Sequence, residues 1–218
     1  MYTTVYAKVR INGDTHGEVM SDIGVNQGCP LSPTLFVLYI DELETYLDEI
    51  DGDSLCLFYT VVAILLSADD VVMLSKSGAG LQRLLNKLYE FCTSSSLDVN
   101  LSKTKIMIFG RNKRKLNQEA FYLGKDQIEI THEYKYLGID FYSHGYFEPS
   151  SKRRRIACMK ALMATLRKEA VVGVTCWELK SHLFKALVLP TVTYGTEIWG
   201  GDLKNYYWKF LEKGIRYI

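Results

Sequence analysis

Hydrophobic and polar positions change period several times along the chain, and each change marks an element. The first residues alternate through Val9 and Ile11 and then meet Asn12-Gly13. Asn-Gly between extended segments is the strongest short hairpin signal, because both turn positions need positive φ. Ser32-Pro33 opens a helix, with Ser suited to the N-cap and Pro to the first helical position. Leu35, Leu38, Tyr39, Leu43, Tyr46, Leu47 and Ile50 follow at helical spacing. Asp41, Glu42, Glu44 and Asp48 lie mostly off that stripe, so one long amphipathic helix is predicted. Residues 61–75 form two short apolar runs around Ala68-Asp69-Asp70, and their β-branched content predicts a tight hairpin buried on both faces. Leu81, Leu84, Leu85, Leu88 and Cys92 mark a second amphipathic helix. Lys105–Phe109 reads as a strand, with further extended segments at 120–124, 127–131 and 134–142. From Ser150 the pattern is helical, through Ile156, Met159, Leu162, Met163 and Leu166, then Leu179, Leu183, Ala186 and Leu187, stopping at Pro190. The composition shifts near residue 143. The expectation is an α+β fold: hairpins and interposed helices over 1–142, then a smaller basic helical unit over 143–218.

With 48% hydrophobic and 23% charged residues over 218 positions, the composition excludes a disordered or collagenous chain. The formal net charge of +1 hides an asymmetry. Residues 1–100 carry 5 Lys/Arg against 14 Asp/Glu, a net of −9; residues 101–218 carry 21 against 11, a net of +10. An acidic half joined to a basic half suggests a polyanion partner held near a carboxylate-rich site. Five widely spaced cysteines without a C-x-x-C pair argue against a disulfide framework or zinc site and for a reducing intracellular compartment. His16, His132, His144 and His182 share no metal-ligand spacing. The longest uncharged apolar stretch, Ser54–Ala68, has 15 residues, whereas a membrane span needs ~20. The opening MYTTVYAKVR has no apolar core of the signal-peptide kind.

Asp69-Asp70 is the sharpest chemical feature. Adjacent carboxylates between hydrophobic strands repel each other and lose hydration. A divalent cation that prefers oxygen, Mg²⁺ above all, makes the arrangement tolerable; a solvated turn at a hairpin tip is the structural alternative. In Val25–Pro33, Gly28 stands in a loop directly before a helix start, where backbone approaches a ligand closely and N–H groups favour a phosphate. Gln27 in that loop can read a base or sugar edge. The same loop also reads as a plain helix cap. Asn100-Leu101-Ser102-Lys103-Thr104-Lys105 leads into a basic run with Arg111, Lys113, Arg114 and Lys115, and no acidic residue falls between 101 and 115. A lysine at that edge suits a leaving pyrophosphate, while 111–115 also reads as a solvated charge run. Lys152-Arg153-Arg154-Arg155 heads a helix that continues through Lys160, Arg167 and Lys168. It suits a nucleic-acid backbone, a solvated helix start or nuclear import. Tyr194, Trp199, Tyr206, Tyr207 and Trp208 offer faces for base stacking, with core packing the commoner use.

In this order, these segments resemble the reverse transcriptase of non-LTR (LINE-type) retrotransposons. Gln27-Gly28-Cys29-Pro30-Leu31-Ser32-Pro33 is similar to the family's motif B, Ala68-Asp69-Asp70 to motif C, and Asn100, Lys103 and Thr104 to motif D. Tyr136-Leu137-Gly138-Ile139 resembles the strand that grips the primer, and Pro190 with Tyr194-Gly195-x-Glu197-x-Trp199-Gly200 the tail that often follows. The resemblance implies a partial right-hand polymerase palm, an antiparallel sheet with packed helices, followed by a small helical thumb or tail region. It also implies an RNA template, a DNA primer, deoxynucleoside triphosphates, Mg²⁺ and the remainder of a retroelement polyprotein. Carried over, Asp69 is the metal ligand and Asp70 its weaker companion; Gln27, Gly28, Pro30 and Asn100 line the nucleotide and template pocket; Lys103 faces the leaving group. Lys105, Arg111, Lys113, Arg114, Lys152, Arg153 and Arg154 would follow the nucleic-acid backbone.

Three departures qualify the resemblance. Ser67 replaces the Tyr usual before Ala-Asp-Asp, and Asn26 stands where a basic residue commonly precedes Gln-Gly. The family's motif A, an Asp on an earlier palm strand, has no match ahead of Gln27. Asp14 follows the Asn-Gly turn, Asp22 sits in a loop and Asp41 is committed to a helix. Two-metal phosphoryl transfer needs bridging carboxylates. The expectation is therefore a catalytically incomplete piece with negligible activity alone. A longer chain or a partner that supplies the missing Asp would make it active, and a nucleic-acid-binding remnant without chemistry is the other alternative.

Overall fold

Asn12 and Gly13 take the left-handed backbone that a two-residue hairpin needs, with φ of 53° and 98°. Around them β1 (Val5–Ile11) and β2 (Asp14–Ser21) pair antiparallel, with a bulge between Ala7 and Val9. The structure is a computed structural model, and the residues it describes are 5–21, 24–25, 28–48, 53–110 and 119–200. Contacts divide the chain into two units, residues 1–100 with 120–127 and residues 101–119 with 128–218.

In the first unit, helices α1 (Ser32–Ile40) and α2 (Glu42–Asp48) precede two hairpins, β3 (Leu55–Leu57) with β4 (Thr60–Val62) and β5 (Ile64–Ser67) with β6 (Asp70–Met73). Helix α3 (Gly78–Ser94) then packs on α2, with the Tyr46 and Phe91 rings 5.8 Å apart. Ile40, Leu43 and Leu47 from α1 and α2, and Leu84, Leu85, Leu88, Phe91 and Cys92 from α3, are buried. The start of α3 is fixed by polar bonds. Ser77 Oγ accepts from the Gly80 amide at 3.0 Å and donates to Asp53 at 3.1 Å, and Asp53 also pairs with Arg83. Gly80 is required by space, since a Cβ there would lie 2.6 Å from Asp53 Cβ.

Strand β8 (Phe121–Leu123) docks on α3, and one α3 side chain bonds its backbone. The Gln82 amide donates to Tyr122 O at 2.8 Å and accepts from Tyr122 N at 3.0 Å, so it takes the place of a neighbouring strand. Strands β7 (Lys105–Ile106), β9 (Asp126–Ile130) and β8 form one sheet in the order β7-β9-β8, with β7 parallel to β9.

The second unit is built on the hairpin of β10 (Glu133–Tyr136) and β11 (Ile139–Tyr142) and on helix α4 (Glu148–Val172), which ends at left-handed Gly173. Helix α5 (Trp177–Leu183), a π-helical turn (Phe184–Val188), α6 (Leu189–Thr193) and α7 (Thr196–Trp199) complete it. Ile139, Cys158, Leu162, Val188, Val192 and Trp199 form its core. Among the described residues no cysteine is in a disulfide, and burial pushes the Cys92 and Cys158 thiols up. No described helix is long and apolar enough to cross a membrane.

Several local expectations are corrected. Ser32 is the first helical residue and not the cap: Leu31 already has helical φ and ψ (−81°, −25°). The single long helix is two, interrupted at Asp41, and Ile50 lies outside the described residues. Hairpin β5–β6 is half-exposed instead of buried on both faces, because among the described residues neither strand has a second neighbour; Leu65 is 46% exposed. Lys105–Phe109 keeps only two paired residues, and they pair parallel. Residues 134–142 are not one extended segment, because Leu137-Gly138 turns the chain. Pro190 does not stop the helical run. Its missing N–H is absorbed by the preceding π turn, in which Leu189 N donates to Phe184 O. The α+β class stands, with separate antiparallel hairpins and a small mixed sheet in place of one antiparallel sheet.

Replacing Gln82 by Ala leaves both Tyr122 backbone groups to solvent. Urea unfolding is expected to show a loss of about 1–2 kcal/mol.

Candidate functional site

The acidic pair sits where the sequence pattern puts it, at the tip of β5–β6. Ser67 pairs with Asp70, which leaves Ala68 and Asp69 as the two turn residues, and Leu74 N donates to Ala63 O at 2.8 Å to extend the ladder. Ala68 has φ of 53°, a left-handed backbone that crowds its Cβ against the next carbonyl. Asp69 and Asp70 are both exposed. Among the described residues no group of three or more His, Cys, Asp or Glu lies close enough to hold a metal. Two exposed carboxylates nonetheless fit Mg²⁺ chemistry, since that ion keeps several waters and is usually held by one or two carboxylates together with substrate phosphates.

Gly28 and Pro30 are exposed in the loop ahead of α1. Gly28 has φ of +83°, a conformation that favours glycine, and Ser32 N donates to Cys29 O at 3.1 Å to close the loop onto the helix. Gln27 and Asn26 lie outside the described residues, as do Asp22, Arg111, Lys113, Arg114, Lys115, Tyr206, Tyr207 and Trp208.

The second unit carries a basic groove of about 540 Å³, lined by Lys103, Lys105, Lys135 and Arg153 together with Glu133, Asp140 and Tyr134. Tyr134 donates its hydroxyl to Lys103 O at 3.1 Å and so ties the 101–104 turn to β10. Lys105 pairs with Glu129 on the parallel neighbour strand at 2.8 Å. Arg153, near the start of α4, forks to Glu133 on β10 and to Asp140 on β11, the latter at 2.9 Å. The Glu133 hydrogen bond is the first reason its guanidinium is held even above the usual arginine range. Lys103, Lys105 and Arg153 are thus brought together, whereas Asp69 and Asp70 belong to the other unit. Asn100 is exposed at the end of that first unit, and Lys152 is exposed on α4. Arg154 is engaged within the protein, bonded to Gly138 O with its guanidinium 4.7 Å from the Tyr194 ring centre.

A family model described as "Reverse transcriptase (RNA-dependent DNA polymerase)" matches residues 1–141, which include the Gly28 loop, the acidic hairpin and the Lys103 turn. The chain belongs to the reverse transcriptase family. The Pol polyprotein of type-2 retrotransposable element R2DM of Drosophila melanogaster is 37% identical over 144 residues, 62% of this chain and 13% of that protein. A transposon-derived protein of Caenorhabditis elegans is 31% identical over 136 residues, 61% of this chain and 47% of that protein. The RNA-directed DNA polymerase from mobile element jockey of Drosophila melanogaster is 26% identical over 197 residues, 84% of this chain and 20% of that protein. The chain therefore spans less than half the length of these relatives. The retrotransposon reverse transcriptases among them agree with the resemblance carried by the motifs.

Within the reverse transcriptase domain and its continuation, sequence reading missed Tyr134, Lys135 and Asp140 as groove residues. The alternation in Glu133-Tyr134-Lys135-Tyr136 was the available signal, because it puts Glu133 and Lys135 on one face of β10. Arg153→Ala should leave the mostly buried Asp140 carboxylate uncompensated and lower stability by about 1 kcal/mol in thermal or urea unfolding. Arg153→Lys should recover only part of that loss, since an ammonium cannot fork to two carboxylates.

Proposed function

We propose that this chain serves RNA-directed DNA synthesis by a non-LTR retrotransposon, copying an RNA template onto a DNA primer from deoxynucleoside triphosphates. The observation that supports the reading is the carboxylate-tipped hairpin, Ala68-Asp69-Asp70 between paired apolar strands, inside the stretch that matches the family. Residues 1–142 form the palm-like part and 143–218 the thumb or tail, working with the rest of the element's polyprotein. Asp69 holds a divalent ion and Asp70 supports it from the first position of β6. Mg²⁺ at that place supplies charge neutralisation for the phosphates. Gln27, Gly28, Pro30 and Asn100 line the nucleotide and template pocket, with Gly28 allowing the backbone to come close. Lys103 meets the developing negative charge of the leaving pyrophosphate. Lys105, Arg111, Lys113, Arg114, Lys152, Arg153 and Arg154 face the nucleic-acid backbone, and the Leu137-Gly138 turn meets the primer strand. The Lys152–Arg155 run also fits nuclear import.

A second reading, a nucleic-acid-binding module without chemistry, draws on the groove of Lys103, Lys105, Lys135 and Arg153. Hybrid binding that falls steeply with salt while Asp69 makes no difference to any reaction would select it.

Template-directed nucleotide incorporation by a polypeptide carrying this chain is expected to fall roughly a thousandfold on Asp69→Ala, and by less on Asp70→Ala. A metal-binding carboxylate accounts for several kcal/mol of charge stabilisation. Primer extension on an RNA template with Mg²⁺ measures it, and incorporation indifferent to Asp69→Ala overturns the polymerase reading.

A further inference from the structure

The turn between β10 and β11 consists of Leu137 and Gly138, with φ of 44° and 78°. Glycine adopts this backbone freely. Leucine does not, because its Cβ crowds the following carbonyl oxygen, and Asn or Gly is the usual first residue of such a turn. Nor is the leucine a buried residue, since it is 48% exposed. A non-glycine residue held left-handed with an apolar side chain facing solvent points from strain towards use.

The strain persists because the turn is held from outside. A two-residue turn leaves its own carbonyl groups outside the strand ladder, yet here each receives a donor. Tyr194 Oη donates to Leu137 O at 2.6 Å. The Arg154 guanidinium donates to Gly138 O and lies 4.7 Å from the Tyr194 ring centre. Tyr194 is itself fixed: Trp199, fully buried, donates its indole N–H to Tyr194 O at 3.0 Å. Gly195 passes so near β11 that a Cβ would lie 2.6 Å from Ile139 Cδ1, and a Cβ on Gly138 would lie 3.2 Å from the Tyr194 ring. Residues 194–200, more than fifty positions downstream, act as a clasp on this hairpin.

We infer that Tyr194 and Arg154 are positioning residues that hold the Leu137-Gly138 turn left-handed, so that the Leu137 side chain is presented to the primer strand. The inference rests on the polymerase reading for the identity of that strand. The clasp acts through the turn and does not itself touch the reacting atoms.

The experiment compares wild type, Leu137→Asn and Tyr194→Phe in polypeptides carrying this chain. Thermal unfolding, amide exchange at Gly138 and Ile139, and affinity for a fluorescent RNA–DNA primer-template at fixed salt are read on each. Leu137→Asn relieves the strain and should raise the melting temperature while weakening primer-template binding roughly tenfold. Tyr194→Phe keeps the ring over Arg154. It should leave the melting temperature near wild type, speed exchange at the turn by about tenfold and weaken binding severalfold. A purely structural clasp would move melting and leave affinity alone. If wild type binds and both variants bind equally well, the inference falls and the polymerase reading stands. A lower melting temperature for Leu137→Asn removes the strain argument and overturns the inference as well. A wild type that binds no primer-template overturns the polymerase reading together with the inference.

Discussion

The structure depends on a backbone constraint: short strands reverse direction through one or two residues, and at least one of them must be left-handed. Asn12-Gly13 meets the requirement with the residues best suited to it. Three other hairpins meet it with a residue that disfavours it. Phe58 in the β3–β4 turn has φ of 55°, Ala68 beside the acidic pair 53°, and Leu137 in the β10–β11 turn 44°. All three side chains face solvent, Phe58 at 96% exposure, so the unfavourable backbone is not offset by burial of the residue that bears it. It must be offset by the rest of each hairpin and by what lies against it. At Leu137 those neighbours are visible, as donors from Tyr194 and Arg154.

Small hairpins cannot support themselves, which is why the helices matter. In the first unit α3 provides the apolar face through Leu84, Leu85, Leu88 and Phe91, and Gln82 supplies the two hydrogen bonds that satisfy the outer edge of β8. In the second, α4 and the 184–199 segment close over Ile139 with Cys158, Leu162, Val188 and Trp199. The Leu137 turn is thus an exposed tip on a supported hairpin, whereas the carboxylate tip stands on strands that, among the described residues, pair only with each other. Such placement lets polar or strained residues persist without disturbing a core.

How much of this was legible in the sequence follows the same line. Asn12-Gly13, the stripe of α3 and the hairpin around Ala68-Asp69-Asp70 were readable because local preference and tertiary structure agree there. The tip of that hairpin, its residue identities and its place in the motif order carried the family. Its exposure was not readable, since an apolar run looks the same whether one face or two are covered. Pro190 predicts a stop because proline removes a helical hydrogen bond. The chain instead widens one turn to a π helix and continues, with Val188 and Val192 both in the core. Ser32 looked like a cap, but Leu31 had already entered helical geometry.

Charge is where the sequence and the structure differ most usefully. Counted along the chain, the second half looks like an unopposed basic surface, net +10. Among the described residues three of those cations are locally answered: Lys105 by Glu129, Arg153 by Glu133 and Asp140, Arg154 by a backbone carbonyl and an aromatic face. An arginine bound in this way meets a phosphate by exchanging partners, and such exchange recovers little net energy at half-exposed sites. Lys135, which lines the groove, is exposed, and so is Lys152 on α4. The arginines do different work, fixing β10, β11 and their turn so that the groove keeps its shape. The start of α4 thus braces the β10–β11 hairpin through Arg153 and its turn through Arg154.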